Sequence, residues 1–246
     1  VILLDPDAKP IIGHRGASGE YPENTLLAFD RALEQGADAL ELDVRATADG
    51  FAAVMHDAAV DRTTSGAGPV RSFTAERLRD LDAGRGERVP LLDEVLERYP
   101  EVPIILEVKE PAAAEPALAA LRRHHAAGRV VVGSFVHAAL KPFRAAGCHC
   151  SASRRGTALS WAASRVGASL PGSGFEAFTV PERHRGLTIV DRRFVRAARR
   201  RGRPVHVWTV DDVTDANRLR SCGVAGIISN YPDRMLGLRV GSDVAG

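Results

Sequence analysis

The chain has 246 residues, 45% of them hydrophobic and 26% charged, a composition that suits a soluble globular protein with a sizeable core. Its 33 Lys and Arg against 31 Asp and Glu leave a net charge of only +2, which excludes a global basic field for nucleic acid or an anionic membrane. Any anionic ligand must therefore be held locally.

The opening "VILLDPDAKP" is too short and too acidic for a secretory signal, and no later stretch approaches the ~20 apolar residues of a membrane span. The expected compartment is the cytoplasm, with export left open because the chain begins at Val1 rather than Met. From there, short β-branched runs alternate with helical patterns to the end. The candidate strands are Ile11 to His14, Ala39 to Val44, Ile104 to Lys109, Val130 to Phe135, Cys148 to Ser153, Ala177 to Pro181, Val205 to Val210 and Gly226 to Asn230. Between them lie "NTLLAFDRALEQG", "LLDEVLERY", "PALAALRRHHAAG", "HAALKPFRAAG", "FVRAARRRG" and "VTDANRLRSCG", several ending in the Gly expected just past a helix. Repeated βα units of this number predict an α/β fold, a closed (β/α)8 TIM barrel, as one domain over residues 1–246.

One apolar run, "FAAVMH", stands outside that count. Only "RATADG" separates Val44 from Phe51, too little for a parallel crossover, and Asp49-Gly50 reads as a tight turn. Phe51 to His56 is therefore expected as an antiparallel arm on the second strand, folding His56 back toward that strand's C-terminal end. The Gly- and Thr-rich stretch after it, about 57–90, is expected as an insertion, either a small lid or a surface excursion. Cys148, Cys150 and Cys222 lack zinc-type spacing and are expected as free thiols. "GSDVAG" is expected to be a frayed tail.

Active sites of such barrels sit at the C-terminal ends of the strands. His14 and Arg15 end the first strand. Glu41 and Asp43, in "ELDV", are two apart and face one side, and Glu107 and Lys109, in "LEVKE", repeat the arrangement. Each carboxylate alone has an ordinary structural role open to it, such as pairing with an Arg. Three inward carboxylates on neighbouring strands would repel one another, and a divalent cation relieves that repulsion. All-oxygen ligation favours a hard ion, Mg²⁺ or Ca²⁺. Two histidines flanking the cluster add acid-base capacity.

"HRG" followed by "PENT", then "ELDV", "HD" with "DRTT", "EVK", "GSF", "VWTV" and "GIISNYPD", in that order, resemble the glycerophosphodiester phosphodiesterases, a family within the phosphatidylinositol-phospholipase-C-like barrels. The resemblance covers nearly the whole chain. It implies metal-dependent hydrolysis of glycerophosphodiesters to glycerol 3-phosphate and an alcohol, with His14 and His56 as general base and acid. It also implies one divalent cation, Mg²⁺ or Ca²⁺, on Glu41, Asp43 and Glu107, phosphate contacts from Arg15 and Lys109, and Phe135 and Trp208 at the mouth. Either water or a neighbouring glycerol hydroxyl serves as nucleophile. Asn24 or Thr25, before "LLAF", is expected to cap a helix. Two departures stand out: "SN" precedes "YPD" where Thr-Asp is commoner, and Leu91 begins a helix where Thr is common.

The expected partner is a small-molecule glycerophosphodiester, with no nucleic acid and no stable membrane insertion; the oligomeric state is not legible. A lysophospholipase-D-like or sphingomyelinase-D-like activity on a lipid is the neighbouring alternative. A non-catalytic phosphate- or nucleic-acid-binding protein would use "RAARRRGR", Arg196 to Arg203, which otherwise reads as a solvated helix end.

Overall fold

The computed structural model describes residues 1–168 and 174–240, so the expected tail lies outside the described residues. Eleven strands are present among the described residues: β1 Ile11–His14, β2 Ala39–Ala46, β3 Ala52–Val54, β4 Ile104–Val108, β5 Val130–Gly133, β6 His149–Cys150, β7 Phe178–Pro181, β8 Arg183–His184, β9 Leu187–Thr188, β10 Val205–Trp208 and β11 Gly226–Ser229. The α-helices are α1 Leu26–Glu34, α2 Ala75–Arg79, α3 Leu92–Arg98, α4 Ala114–Arg123, α5 Lys141–Ala145, α6 Arg154–Arg165, α7 Arg192–Arg199, α8 Val213–Ser221 and α9 Gly237–Val240.

The large sheet runs β6-β5-β4-β2-β1-β11-β10-β7, parallel throughout, and the bridge from Ser151 to Ala177 joins its two ends. The cylinder is thus an eight-stranded α/β barrel. β3 pairs antiparallel on β2, with Val44 opposite Val54 and Ala46 opposite Ala52, as the short "RATADG" link requires. Several strands stop short of the expected span; β6 keeps two residues of the run Cys148 to Ser153. Most of the lost positions lie at C-terminal ends, where the chain leaves the ladder to form the mouth; Cys148 and Ala177 are lost at N-terminal ends.

Period-2 alternation sorts each strand into two faces. Outward residues such as Leu40, Leu42, Val44, Ile104, Leu106 and Val132 are buried under the helices. Inward residues Ile12, Ala39, Ile105, Val131, Ala177 and Ile228 form an apolar floor, closed by Leu3 from the N-terminal turn Ile2–Leu4. That short apolar segment is a plug for the barrel's base. Side-chain caps start α1, α6, α7 and α8, with Thr25, Ser153, Asp191 and Asp212 each accepting a first-turn N–H. Leu91 cannot do so, and the Glu94 carboxylate instead reaches back to its N–H at 2.8 Å. On α7 the apolar face, Phe194, Val195 and Ala198, is buried while the arginines of "RAARRRGR" mostly face out. All three cysteines are free thiols. No helix among the described residues is long and apolar enough to cross a membrane.

Residues 57–90 fold over the hairpin around a small cluster of their own, Val60, Val70, Leu78 and Val89 with Ala53 and Met55 of the β3 arm.

His206 is a polar group set into the barrel interior, fully buried, its Nε2 2.9 Å from the Leu3 carbonyl. Gly226 on the adjacent strand makes room, since a Cβ there would lie 2.1 Å from His206 Nδ1. Burial pushes the imidazole pKa down from 6.5 to about 4. The unfolded chain takes up the proton as pH falls through 6.5, whereas the folded chain resists until about 4. The neutral imidazole's contribution is therefore complete above pH 6.5 and lost across that window, by roughly 3 kcal/mol. Denaturant unfolding at pH 7.5 and 4.5 should show this loss in the wild type but not in His206→Leu; equal slopes in both would refute it.

Candidate active site

The site is the pleat directly above the apolar floor. Two residues on from Ile12, Ala39, Ile105 and Ile228 come His14, Glu41, Glu107 and Asn230, so the alternation that builds the floor also aims these polar groups inward. The register sets His14 beside Glu41 and, one pleat further up, Asp43 beside Glu107. His14, Arg15, Glu41, His56, Glu107, Lys109, Phe135 and Trp208 all line one cavity of about 110 Å³ at the mouth.

Glu41, Asp43 and Glu107 each present an oxygen within 4.8 Å of the others. Lys109 Nζ lies 2.7 Å from Asp43 Oδ1 and 3.0 Å from Glu107 Oε2, and Arg15 Nε lies 3.2 Å from Asp43 Oδ2. Arg15 also donates to Glu23 at 2.9 Å. Two cations against three carboxylates leave the cluster short of neutrality. Its ionisation is correspondingly uneven. Burial, with Asp43 and Glu107 close by, pushes Glu41 well above the usual carboxylate range, and burial raises Glu107 too. Burial opposes ionisation of Asp43 as well, but Lys109 and Arg15 override it and hold its pKa below the usual value. Glu107 Oε1 is buried without a hydrogen-bond partner. An oxygen-only donor set with one free buried lone-pair oxygen suits a hard divalent cation.

Asn24 does not cap α1; Thr25 does, accepting from the Ala28 N–H. At φ +59° Asn24 instead turns its side chain inward, donating to Asp43 Oδ2 at 3.0 Å and accepting from the Asp43 N–H. The helix-cap signal at Thr25 masked this second role one residue earlier.

Both histidines are oriented from behind. Asp211 Oδ2 accepts from Asn230 Nδ2 at 2.7 Å, and its Oδ1 from the Asn230 N–H and the Ser229 hydroxyl. A carboxylate can only accept, so the amide nitrogen faces Asp211 and Asn230 Oδ1 faces His14 Nδ1, at 2.7 Å. His14 Nδ1 therefore carries the proton, leaving Nε2 with its lone pair 3.9 Å from Glu41 Oε2. Burial, then Arg15, lowers the His14 pKa and favours that neutral form. His56 Nδ1 donates to Asp57 Oδ1 at 2.6 Å; Arg62 holds the other Asp57 oxygen at 2.6 Å and bridges to Glu23. Arg62, then His56, keep Asp57 far below the usual carboxylate range.

Asp211 and Asp57 were not singled out in the sequence. Asp211 precedes the helix-capping Asp212 and reads as part of the cap; "HD" held the only signal for Asp57. Asn230→Ala should lower kcat by roughly 10–100-fold with KM little changed, because it frees the His14 tautomer without touching substrate. Steady-state rates on a soluble diester check this; a rise in KM alone would make Asn230 a substrate contact.

The far wall is Phe135 and Trp208, packed edge-to-face with centroids 5.9 Å apart, with Ser134, Ser151 and Thr179 nearby.

A parallel barrel with carboxylates and back-anchored imidazoles gathered at one strand end defines a hydrolytic (β/α)8 enzyme class. The model for the glycerophosphoryl diester phosphodiesterase family matches residues 14–234, and the chain belongs to that family. It is 34% identical over 242 residues, 93% of this chain and 96% of the relative, to a glycerophosphodiester phosphodiesterase of Caldanaerobacter subterraneus. Among solved structures, a glycerophosphodiester phosphodiesterase from Agrobacterium tumefaciens is 28% identical with a TM-score of 0.76, covering 95% of this chain and 100% of that one. An Oleispira antarctica phosphodiesterase in complex with the product sn-glycerol-3-phosphate is 25% identical with a TM-score of 0.78, covering 95% of this chain and 98% of that one.

Proposed function

We propose that this protein hydrolyses glycerophosphodiesters to glycerol 3-phosphate and an alcohol, using one divalent cation and two histidines. The observation that carries the reading is the cluster of Glu41, Asp43 and Glu107 beside His14, with His56 on the cavity that His14, Glu41 and Glu107 line. Family membership and the glycerol-3-phosphate complex of the Oleispira relative support the substrate class.

A phosphodiester resists attack because its charge repels nucleophiles and its alkoxide leaving group is basic. Glu41, Asp43 and Glu107 would hold the cation, which supplies charge neutralisation at the phosphoryl oxygens and acidifies a bound hydroxyl. Arg15 and Lys109, on the same cavity wall, add positive charge for the phosphate. His14 Nε2 accepts the nucleophile's proton, its Nδ1–H anchored by Asn230. His56, its Nδ1–H held by Asp57, delivers a proton from Nε2 to the departing oxygen. Burial and Arg15 beside His14 suit the neutral base.

The test is a panel of glycerophosphodiesters assayed for glycerol 3-phosphate with and without Mg²⁺ or Ca²⁺. Metal-dependent release is expected; no release from any member would overturn the reading.

A further inference from the structure

The cavity is chemically two-sided. Every carboxylate that lines it comes from β2 or β4. The opposite side is lined from β5, β7, β10 and the segments that follow β5, β6 and β10, with no acidic residue among them, and the chain has no Asp or Glu between Glu115 and Glu176. Arg154, the first residue of α6, lies with its guanidinium over the Phe135 ring, 4.8 Å from the centroid. It is exposed and makes no ion pair among the described residues. Arg155 beside it is exposed too, as are Arg183, His184 and Arg185 of the β8–β9 hairpin, which Trp161 of α6 holds through Nε1 to the Thr188 carbonyl at 3.0 Å. Glu182, next to that hairpin, is occupied by a two-pronged contact with Arg218.

At about 110 Å³ the cavity is well below the ~300 Å³ lower end of ordinary ligand pockets, so it accommodates the compact phosphate end of a diester and leaves the rest projecting. With the phosphate placed between the acidic cluster and the histidines, the projecting arm passes Phe135 and Trp208 and meets Arg154. A quaternary or primary ammonium there finds no carboxylate, and the Phe135 face is already covered by the Arg154 guanidinium. An anionic group finds Arg154, which makes no ion pair among the described residues, with Arg155 next to it in the chain.

We propose that Arg154 makes this site select glycerophosphodiesters whose alcohol carries no positive charge, and best of all an alcohol bearing a second phosphate. This rests on the phosphodiesterase reading above. It also predicts where the selectivity resides: in KM, because Arg154 touches the alcohol and not the reacting phosphorus.

The test compares kcat/KM for glycerophosphocholine and 1,3-bis(glycerophospho)glycerol in the wild type, Arg154→Glu and Arg154→Lys. The wild type should favour the bis-phosphate by roughly tenfold or more, Arg154→Glu should reduce that ratio by about tenfold, mainly through KM, and Arg154→Lys should keep most of it. A carboxylate in the first turn of α6 is favourable to the helix, so the Glu variant should fold, which thermal melting checks. A wild-type preference for the choline ester, or a ratio that Arg154→Glu does not move, overturns the selectivity alone. Cleavage of neither diester overturns the activity and the selectivity together.

Discussion

His14→Ala and His56→Ala should each lower kcat by roughly 10²–10⁴-fold, the usual worth of a positioned acid or base, about 3–5 kcal/mol of barrier. Neither should unfold the chain. His56 stands at the end of the β3 arm, partly exposed, and its loss leaves Asp57 still held by Arg62. Loss of His14 leaves Asn230 bonded to Asp211 and within 2.7 Å of the Ser18 hydroxyl. Because both imidazoles act in one turnover, the double variant should be little worse than the poorer single one. Rates on a soluble diester, beside melting curves, decide the matter; near-normal turnover in either variant removes that residue from the chemistry.

Exhaustive chelation should silence the enzyme, and added Mg²⁺ or Ca²⁺ should restore it. Lys109 and Arg15 do not fully neutralise Glu41, Asp43 and Glu107, and burial penalises the leftover charge, most at Glu41. A cation removes that penalty and is worth several kcal/mol to the transition state, so its loss should cost at least about 10²–10³-fold. Asp43→Asn should reproduce the deficit at ordinary metal levels. Undiminished activity after chelation would contradict the assignment of a catalytic cation to Glu41, Asp43 and Glu107.

The barrel was legible because its strands are short apolar runs at regular intervals, and the site because charged residues inside such runs are costly without a purpose. The β2–β3 hairpin followed from chain length alone: six residues cannot make a parallel crossover. What escaped has weaker signals. α6 has a single buried side chain, Ser160, so "RRGTALSWAASR" lacks the apolar stripe that marks a packed helix. The β8–β9 hairpin is exposed and polar, and the plug at Ile2–Leu4 is too short for any periodicity. Asn24, Asp57 and Asp211 act on the site through other side chains, and spacing along the chain says nothing about contacts between Asp211, Asn230 and His14. The Asn at the end of β11, a departure from the usual Asp, acquires a physical sense only once Asp211 is seen behind it.

The whole account turns on whether one ion binds where acidic side chains from β2 and β4 meet. Anomalous diffraction from crystals grown with Mn²⁺ locates such an ion directly. A single peak bounded by Glu41, Asp43 and Glu107 is the expected result; a peak elsewhere, or none at saturating Mn²⁺, would contradict it.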